Sequence, residues 1–408
     1  MNVASVEEIR GCFPALERSH AGNLVGYFDG PGGTQVPTAV VKASTDYLLR
    51  HNANTDWMYP TSIETDQLLK EARVTFADFI GCSEEEIVFG NNMTTLTFHL
   101  SRTLGKSWGP GDEVIVTQLD HQANQAPWRS LEEECGITVH TAPMLAENGK
   151  LDWDALRKLF NQRTRLLAIG GASNALGTVN DLEEAARLCR AAGAYFFVDA
   201  VHMASHQLMN VAEIGCDFLA CSSYKFYGPH VGVLFIRKDI GDSLLPPRLP
   251  CTKGYLPESF ETGTLNHEGI VGAAAAVDFL AGMSKFDGSR RERLDAAFGT
   301  LTVRSHRLLE FLWHGLEEQR GVQLYGPGPN ERRTPTLGFT VKGLDSAAVV
   351  ERLASDSGLF LSHGDFYASG VTEALGLGQQ GLVRAGCVCY TTEEEVKRLI
   401  EGVASLCP

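Results

Sequence analysis

Two short apolar runs, each ending in an ionisable side chain, constrain this chain more than any other feature. Tyr195-Phe-Phe-Val-Asp-Ala-Val-His202 breaks at a carboxylate, Asp199. Phe218-Leu-Ala-Cys-Ser-Ser-Tyr-Lys225 breaks at an amine and runs on into Phe226-Tyr-Gly-Pro-His-Val-Gly232. Runs this short and this continuously apolar read as strands covered on both faces. Ligands of open α/β sheets bind in the crevice beyond the carboxyl ends of the strands. Asp199 and Lys225 are therefore expected to reach one crevice together.

The surrounding pattern supplies the rest of such a sheet. Strand-like segments at Glu113 to Thr117, Thr138 to Ala142, Leu166 to Gly170 and Tyr195 to Val198 alternate with helical periodicity at Pro127 to Glu134, Trp153 to Asn161 and Leu182 to Ala191. That alternation predicts an α/β fold with a mostly parallel sheet covered by helices. Val233 to Arg237, after the Gly-Pro turn, is expected to return antiparallel. Upstream, Thr38 to Leu49 and Ile63 to Ile80 read as helices, and Tyr27-Phe-Asp-Gly-Pro-Gly-Gly-Thr-Gln-Val-Pro37 as a strand fragment opening into a glycine-rich loop that lets backbone approach a ligand or a neighbouring subunit. Beyond the apolar helix Ile270 to Met283 the pattern changes. A long helix from about Arg290, strands at Thr336 to Val341, Phe360 to Ser362 and Leu382 to Cys389, and helices at Ser346 to Ser357 and Thr392 to Leu406 describe a smaller α+β unit. The expected division is an N-terminal arm (1–26), a large domain (27–285) and a small C-terminal domain (286–408).

An amine and a carboxylate delivered to one crevice suit pyridoxal 5'-phosphate. The lysine would hold the aldehyde covalently, and the carboxylate would keep the ring nitrogen protonated so that the ring draws electrons from a substrate α-carbon. Other strand ends converge on the same edge. Asp120-His121-Gln-Ala-Asn124 places an imidazole there, and Ser173-Asn174-Ala-Leu-Gly177 an amide. Glu86-Ile-Val-Phe-Gly-Asn-Asn-Met-Thr-Thr-Leu-Thr97 is a strand, a polar turn and a helix start, so its free N–H groups and the Thr94 hydroxyl form an anion site. Arg384 interrupts an otherwise apolar strand, where it is either half of a structural ion pair or a clamp for a substrate carboxylate.

Composition removes other classes. A chain of 408 residues with 44% hydrophobic residues can bury a large core. A formal net charge of -15 argues against nucleic acid as a partner, because phosphate binding needs a basic surface. No apolar run reaches the length of a membrane span, and Met1 to Arg10 reads as a capped polar helix rather than a signal peptide, which points to a cytoplasmic protein with no membrane partner. The ten cysteines lack Cys-x-x-Cys spacing and are expected to be mostly core residues. Cys387-Val-Cys389 alternates like one face of a strand and comes nearest to a metal pair, but no metal site is expected.

Asp-x-x-His at 199 to 202, Ser-x-x-Lys-x-Tyr-Gly-Pro at 222 to 229, Asp-His-x-x-Asn at 120 to 124 followed by Pro127-Trp128, Ser-Asn-x-x-Gly at 173 to 177, Glu-x-Gly-Thr at 261 to 264, and Arg384 together resemble the class V aminotransferases. That family of fold-type I pyridoxal phosphate enzymes includes cysteine desulfurases, selenocysteine lyases and isopenicillin N epimerase. Asp29-Gly-Pro-Gly-Gly-Thr-Gln35 and Asn52-Ala-Asn54 are most similar to its cysteine desulfurase-like branch. The resemblance runs from about Tyr27 to Cys407 and implies a mostly parallel, seven-stranded sheet, an amino-acid substrate and a homodimer with its active sites at the interface. It also implies roles. Lys225 would carry the cofactor, Asp199 would meet the pyridine nitrogen and His121 would stack on the ring. His202, where many relatives have glutamine, and Asn174 would approach the phenolic oxygen. The phosphate would be held by the backbone at Asn92 and Met93, by Thr94 and Ser222, and by Thr264 of the second subunit, and Tyr224, which stands where the family has histidine, could still donate to it. Arg384 would bind the substrate carboxylate.

Two departures bear on the reaction. Desulfurases usually carry histidine immediately before the lysine, where this chain has Tyr224, and a nucleophilic cysteine on a loop before the arginine strand, where it reads Leu361-Ser-His-Gly-Asp-Phe-Tyr-Ala368. The expected reaction is thus a cysteine desulfurase-like C–S lysis or β-elimination on a small amino acid, without a persulfide cysteine. Transamination or epimerisation, which begin with the same loss of the α-proton, are the alternative.

Overall fold

The structure, a computed structural model, describes residues 3–408. Seven strands form the large sheet: β1 (Ile87–Gly90), β2 (Glu113–Thr117), β3 (Thr138–Ala142), β4 (Thr164–Gly170), β5 (Tyr195–Asp199), β6 (Phe218–Ser222) and β7 (Gly232–Ile236), in the spatial order β1-β7-β6-β5-β4-β2-β3. Only β7 runs against the others, pairing antiparallel with β6 and with β1. The apolar runs are continuous because both faces are covered: Phe196 and Val198 of β5 enter one core, and Phe197 enters the other.

The C-terminal part carries an antiparallel sheet of β8 (Val322–Tyr325), β9 (Thr336–Val341), β10 (Ser362–Gly364) and β11 (Leu382–Gly386), ordered β8-β9-β11-β10. Helices Arg290–Glu317, Ser346–Ser357 and Glu393–Leu406 pack on it around a core that includes Leu312, Leu337, Phe339, Leu353, Val383 and Leu399. The first and last of these helices start on capping boxes, Ser289 with Glu292 and Thr392 with Glu395, so the orphan N–H groups of the first turn are met locally. The N-terminal helix forms at Val6–Arg10 behind a Ser5 cap; residues 1 and 2 of that prediction lie outside the described residues.

Several expectations need correction. The strand expected from Leu382 to Cys389 ends at Gly386, and Cys387 and Cys389 lie beyond it in a buried turn where the Val388 N–H donates to the Thr391 hydroxyl. A pair on one strand face therefore does not form, and among the described residues no group of metal-ligating side chains gathers anywhere. The strand expected from Phe360 to Ser362 splits, because Leu359–Phe360 pairs in parallel with Gly26–Tyr27 while Ser362–Gly364 pairs with β11. Helix Thr38 to Leu49 stops at Asp46 and continues as a wider turn over Tyr47–His51, and the next helix starts earlier, at Pro60, where proline suits a first turn. Among the described residues no helix is long and apolar enough to cross a membrane.

The segment after Gly26–Tyr27 threads between the two sheets. Phe28 N–H donates to Phe360 O, and Gly386 N–H donates to Phe28 O. A side chain at 386 would place its Cβ 2.4 Å from Pro31, so glycine is what allows β11 to lie against this loop. That contact delivers Asp29 and Pro31 to the crevice at the carboxyl ends of the large sheet.

Candidate active site

The crevice is a pocket lined by residues from five strand ends. Met93 and Thr94 follow β1, Asp120 and His121 follow β2, Ser173 and Asn174 follow β4, Asp199 and His202 come from β5, and Ser222, Tyr224 and Lys225 from β6. Nine residues singled out from sequence thus share one cavity: Met93, Thr94, His121, Asn174, Asp199, His202, Ser222, Tyr224 and Lys225.

Lys225 Nζ donates to the carbonyls of Pro31 at 2.6 Å and Gly32 at 2.9 Å, so the glycine-rich loop cages the amine. Burial, with Arg384 nearby, pulls its pKa down to about 8 against the opposing pull of Asp29 and Asp199. Asp199 accepts one hydrogen bond, from the Val201 N–H at 2.9 Å. Burial lifts its carboxyl to about 6, while Val201 and Lys225 hold it down. Asp120, which the sequence marked only as the neighbour of His121, is a second buried carboxylate here; burial and then Asp199 raise it to about 7. It accepts from Gly170 N–H and from Asn124 Nδ2, both at 2.9 Å, and so pins the turn that presents His121.

His121 Nδ1 accepts from the Ala123 N–H at 2.9 Å, and the ring lies 5.5 Å from that of Tyr367. Burial, then Lys225 and Arg384, lower its pKa to about 4, which keeps it neutral. At the anion end, Met93 N–H donates to Ser222 Oγ at 3.0 Å, and Thr94 sits in a first helical turn, where N–H groups have no intrahelical acceptor. Gly232 makes this junction close: a Cβ there would lie 2.4 Å from the carbonyl carbon of Asn92. Asn92 itself caps the helix, its Oδ1 accepting from the Thr95 N–H, and its side chain is not part of the pocket wall. The Tyr224 ring stacks on His230 with centroids 4.8 Å apart.

Besides Asn92, two predicted residues stand outside the pocket wall. Arg384, in β11, is buried, and its guanidinium donates to Ser362 Oγ, Asn174 O and Asp29 Oδ1 and covers the Phe366 ring at 4.2 Å. The ion-pair reading of this residue thus has a physical counterpart in Asp29, and the guanidinium is also held against Asn174 of the pocket. Thr264 is exposed on a separate depression that also includes Asn54, Arg73, Glu258 and His267. Sequence reasoning missed Asp29 and Asp120 as individuals, and placed Ser362 only on the loop before the arginine strand. The glycine-rich context of Asp29 was the one available signal.

The pocket thus assembles an amine of reduced pKa, a buried carboxylate, a neutral imidazole and an N-terminal helix turn, with a guanidinium alongside. The family profile described as Aminotransferase class-V matches residues 26–399. A cysteine desulfurase of Pectobacterium atrosepticum is 30% identical over 98% of this chain and 97% of its own length. A probable cysteine desulfurase of Xylella fastidiosa is 32% identical over 97% of this chain and 94% of its own. Among solved structures, the apo cysteine desulfurase of Thermococcus onnurineus NA1 superposes with a TM-score of 0.88 at 30% identity, covering 100% of this chain and 98% of that one. On its fold, its matched length and these relatives, the chain belongs to the class V aminotransferases, pyridoxal-phosphate-dependent enzymes, and to their cysteine desulfurase-like branch.

Proposed function

We propose that this chain binds pyridoxal phosphate and acts as a C–S lyase on a small amino acid, removing the α-proton and expelling a sulfur-bearing β-substituent without forming a persulfide on the enzyme. The residues present fit the cofactor. Asp199 is buried with a single backbone donor, which leaves carboxylate capacity for a cationic ring nitrogen. The glycine at 232 brings β7 against the Asn92–Met93 turn, leaving a helix N-terminus facing the same cavity for a phosphate. When bound, the cofactor supplies electron withdrawal from the substrate α-carbon.

The chain's own groups do the rest in this proposal. Lys225 Nζ would anchor the aldehyde and, once the substrate amine has displaced it there as a free amine, would take the α-proton, a task suited to an amine near pKa 8. Asp199 would keep the ring nitrogen protonated, and the neutral His121 would stack on the ring. Thr94, Ser222, Tyr224 and the backbone at Asn92 and Met93 hold the phosphate. Asn174 and His202 serve the phenolic oxygen, and Arg384 holds the substrate carboxylate. Thr264 reaches a second subunit's phosphate in a homodimer, for which its exposure on one chain leaves room. The division into an arm, a large domain and a small domain at 26/27 and 285/286 belongs to the same reading. So does a cytoplasmic location, which ten unpaired cysteines suit.

The observation that carries the reaction is where the thiols are. None of the cysteines lines the pocket among the described residues, while Cys387 and Cys389 are buried and burial pushes each up to about 12, which suppresses the thiolate. Product analysis with a panel of amino acids tests the proposal. Pyruvate and ammonia with released sulfide support it; a keto acid with aminated cofactor, or a D-amino acid, assigns transamination or epimerisation instead.

A further inference from the structure

His202 Nε2 lies between two buried hydroxyls, 3.0 Å from Thr334 Oγ1 and 3.1 Å from Thr336 Oγ1. Both threonines are sealed, at 1% and 0% exposure, and both come from the C-terminal sheet and the turn leading into it, more than 130 positions from the histidine. His202 lines the active-site pocket, and its Nδ1 has no partner among the described residues and is not a sealed orphan, which leaves that nitrogen free to serve the cavity. Burial, with His206, Arg384 and Lys225 around it, holds its pKa well below the ordinary value. A neutral ring carries one proton, on one nitrogen or the other.

Counting hydrogens decides which. The Thr334 hydroxyl has two acceptors within reach, His202 Nε2 and Gly177 O at 3.4 Å. The Thr336 hydroxyl has one, His202 Nε2. With Nε2 bare, both hydroxyl hydrogens have acceptors. With Nε2 protonated, the Thr336 hydrogen is stranded in a dry site, and a stranded buried donor costs more than a made bond returns.

We infer that Thr336 is a positioning residue that locks His202 in the tautomer protonated at Nδ1, so that an N–H donor faces the active-site cavity. Resting on the cofactor reading above, that N–H is aimed at an anionic oxygen of the bound ring, for which a bare nitrogen would be repulsive. Thr334, which has an alternative acceptor, is not required for the lock.

The test is long-range proton–nitrogen correlation NMR on the full chain labelled with 15N-histidine, without and with pyridoxal phosphate, using His202→Gln to assign the signals. The wild type is expected to show the Nδ1–H pattern in both forms. Without the cofactor, Thr336→Val should lose that pattern, Thr336→Ser should restore it and Thr334→Val should keep it. Thr336→Val should also bind the cofactor roughly fivefold more weakly, the effect of one neutral hydrogen bond. An Nε2–H wild type overturns the inference, and so does a cofactor-free Thr336→Val protein that keeps the Nδ1–H pattern. If Thr336→Val does not fold, the wild-type spectrum and Thr334→Val still decide. No visible absorbance on adding pyridoxal phosphate would remove the cofactor reading instead, and the tautomer in the cofactor-free protein would still be measured.

Discussion

Replacing Asp29 by asparagine should make the protein less stable and its carboxylate site tighter. Arg384 Nη2 lies 3.2 Å from Asp29 Oδ1; the arginine side chain is 4% exposed and the aspartate 44%. Unit charges about 4 Å apart interact by about 4 kcal/mol at an effective dielectric of 20. Solvent around the half-exposed Asp29 reduces that to roughly 1–2 kcal/mol. Asp29→Asn removes this term and leaves the guanidinium with neutral acceptors only, Ser362 Oγ and Asn174 O. An unfolding entropy scaled to this length means the loss lowers the thermal midpoint by roughly 1–2 °C.

The same removal frees the guanidinium for an external carboxylate that no longer competes with an internal one. Affinity for a small carboxylate should therefore rise roughly five- to thirtyfold, the equivalent of 1–2 kcal/mol. Scanning calorimetry on both proteins and a propionate titration followed by its heat measure the two effects on the same samples. A midpoint that falls while carboxylate affinity also falls would refute the reasoning, since Asp29 would then support the ligand rather than compete with it.

Lys225 carries a pH prediction. Its folded pKa is lowered to about 8, so the cost of burying its charge is full below that value and is relieved as pH rises from about 8 toward the unfolded value near 10.4. The rate at which pyridoxal phosphate develops visible absorbance should accordingly climb up to about pH 8 and then level off; a climb that continues beyond pH 9.5 contradicts the lowered value. Asp199→Asn should retain the cofactor but slow exchange of the substrate α-proton with deuterated solvent by orders of magnitude, and an unchanged exchange rate would remove its assigned role. Serine at both Cys387 and Cys389 should leave most turnover intact, and labelled sulfur should not remain on the wild-type protein after gel filtration. Loss of turnover with the fold preserved would show that one of these thiols takes part.

What the sequence disclosed and what it withheld divide along the range of the interactions. Strands β2, β3 and β9 and the helix Ser346–Ser357 fall at the expected bounds because their signals are local: well-buried runs in β2 and β9, buried Val139 and Ala142 among exposed threonines in the edge strand β3, and an Asp345 side chain that accepts from the Ala348 N–H and starts the helix. Strand β8 has a largely half-exposed pattern with no continuous apolar run, so pairing with β9 rather than its own composition makes it a strand. The site follows the same rule. Lys225, Asp199 and His121 were legible because each ends or follows a strand of one sheet, and a parallel sheet brings its carboxyl ends together whatever the loops do. Asp29 meets Arg384 across 355 positions, and Thr336 meets His202 across 134; no periodicity encodes either contact. Both long-range partners reach the site beside Gly386, which is paired with Thr336 in the sheet, bridged to Asp29, and too close to Pro31 to carry a side chain. A single glycine in an apolar strand thus marks where the N-terminal loop and the C-terminal sheet are fastened over the crevice. Any larger residue there should disturb the Arg384 ion pair and the His202 tautomer together.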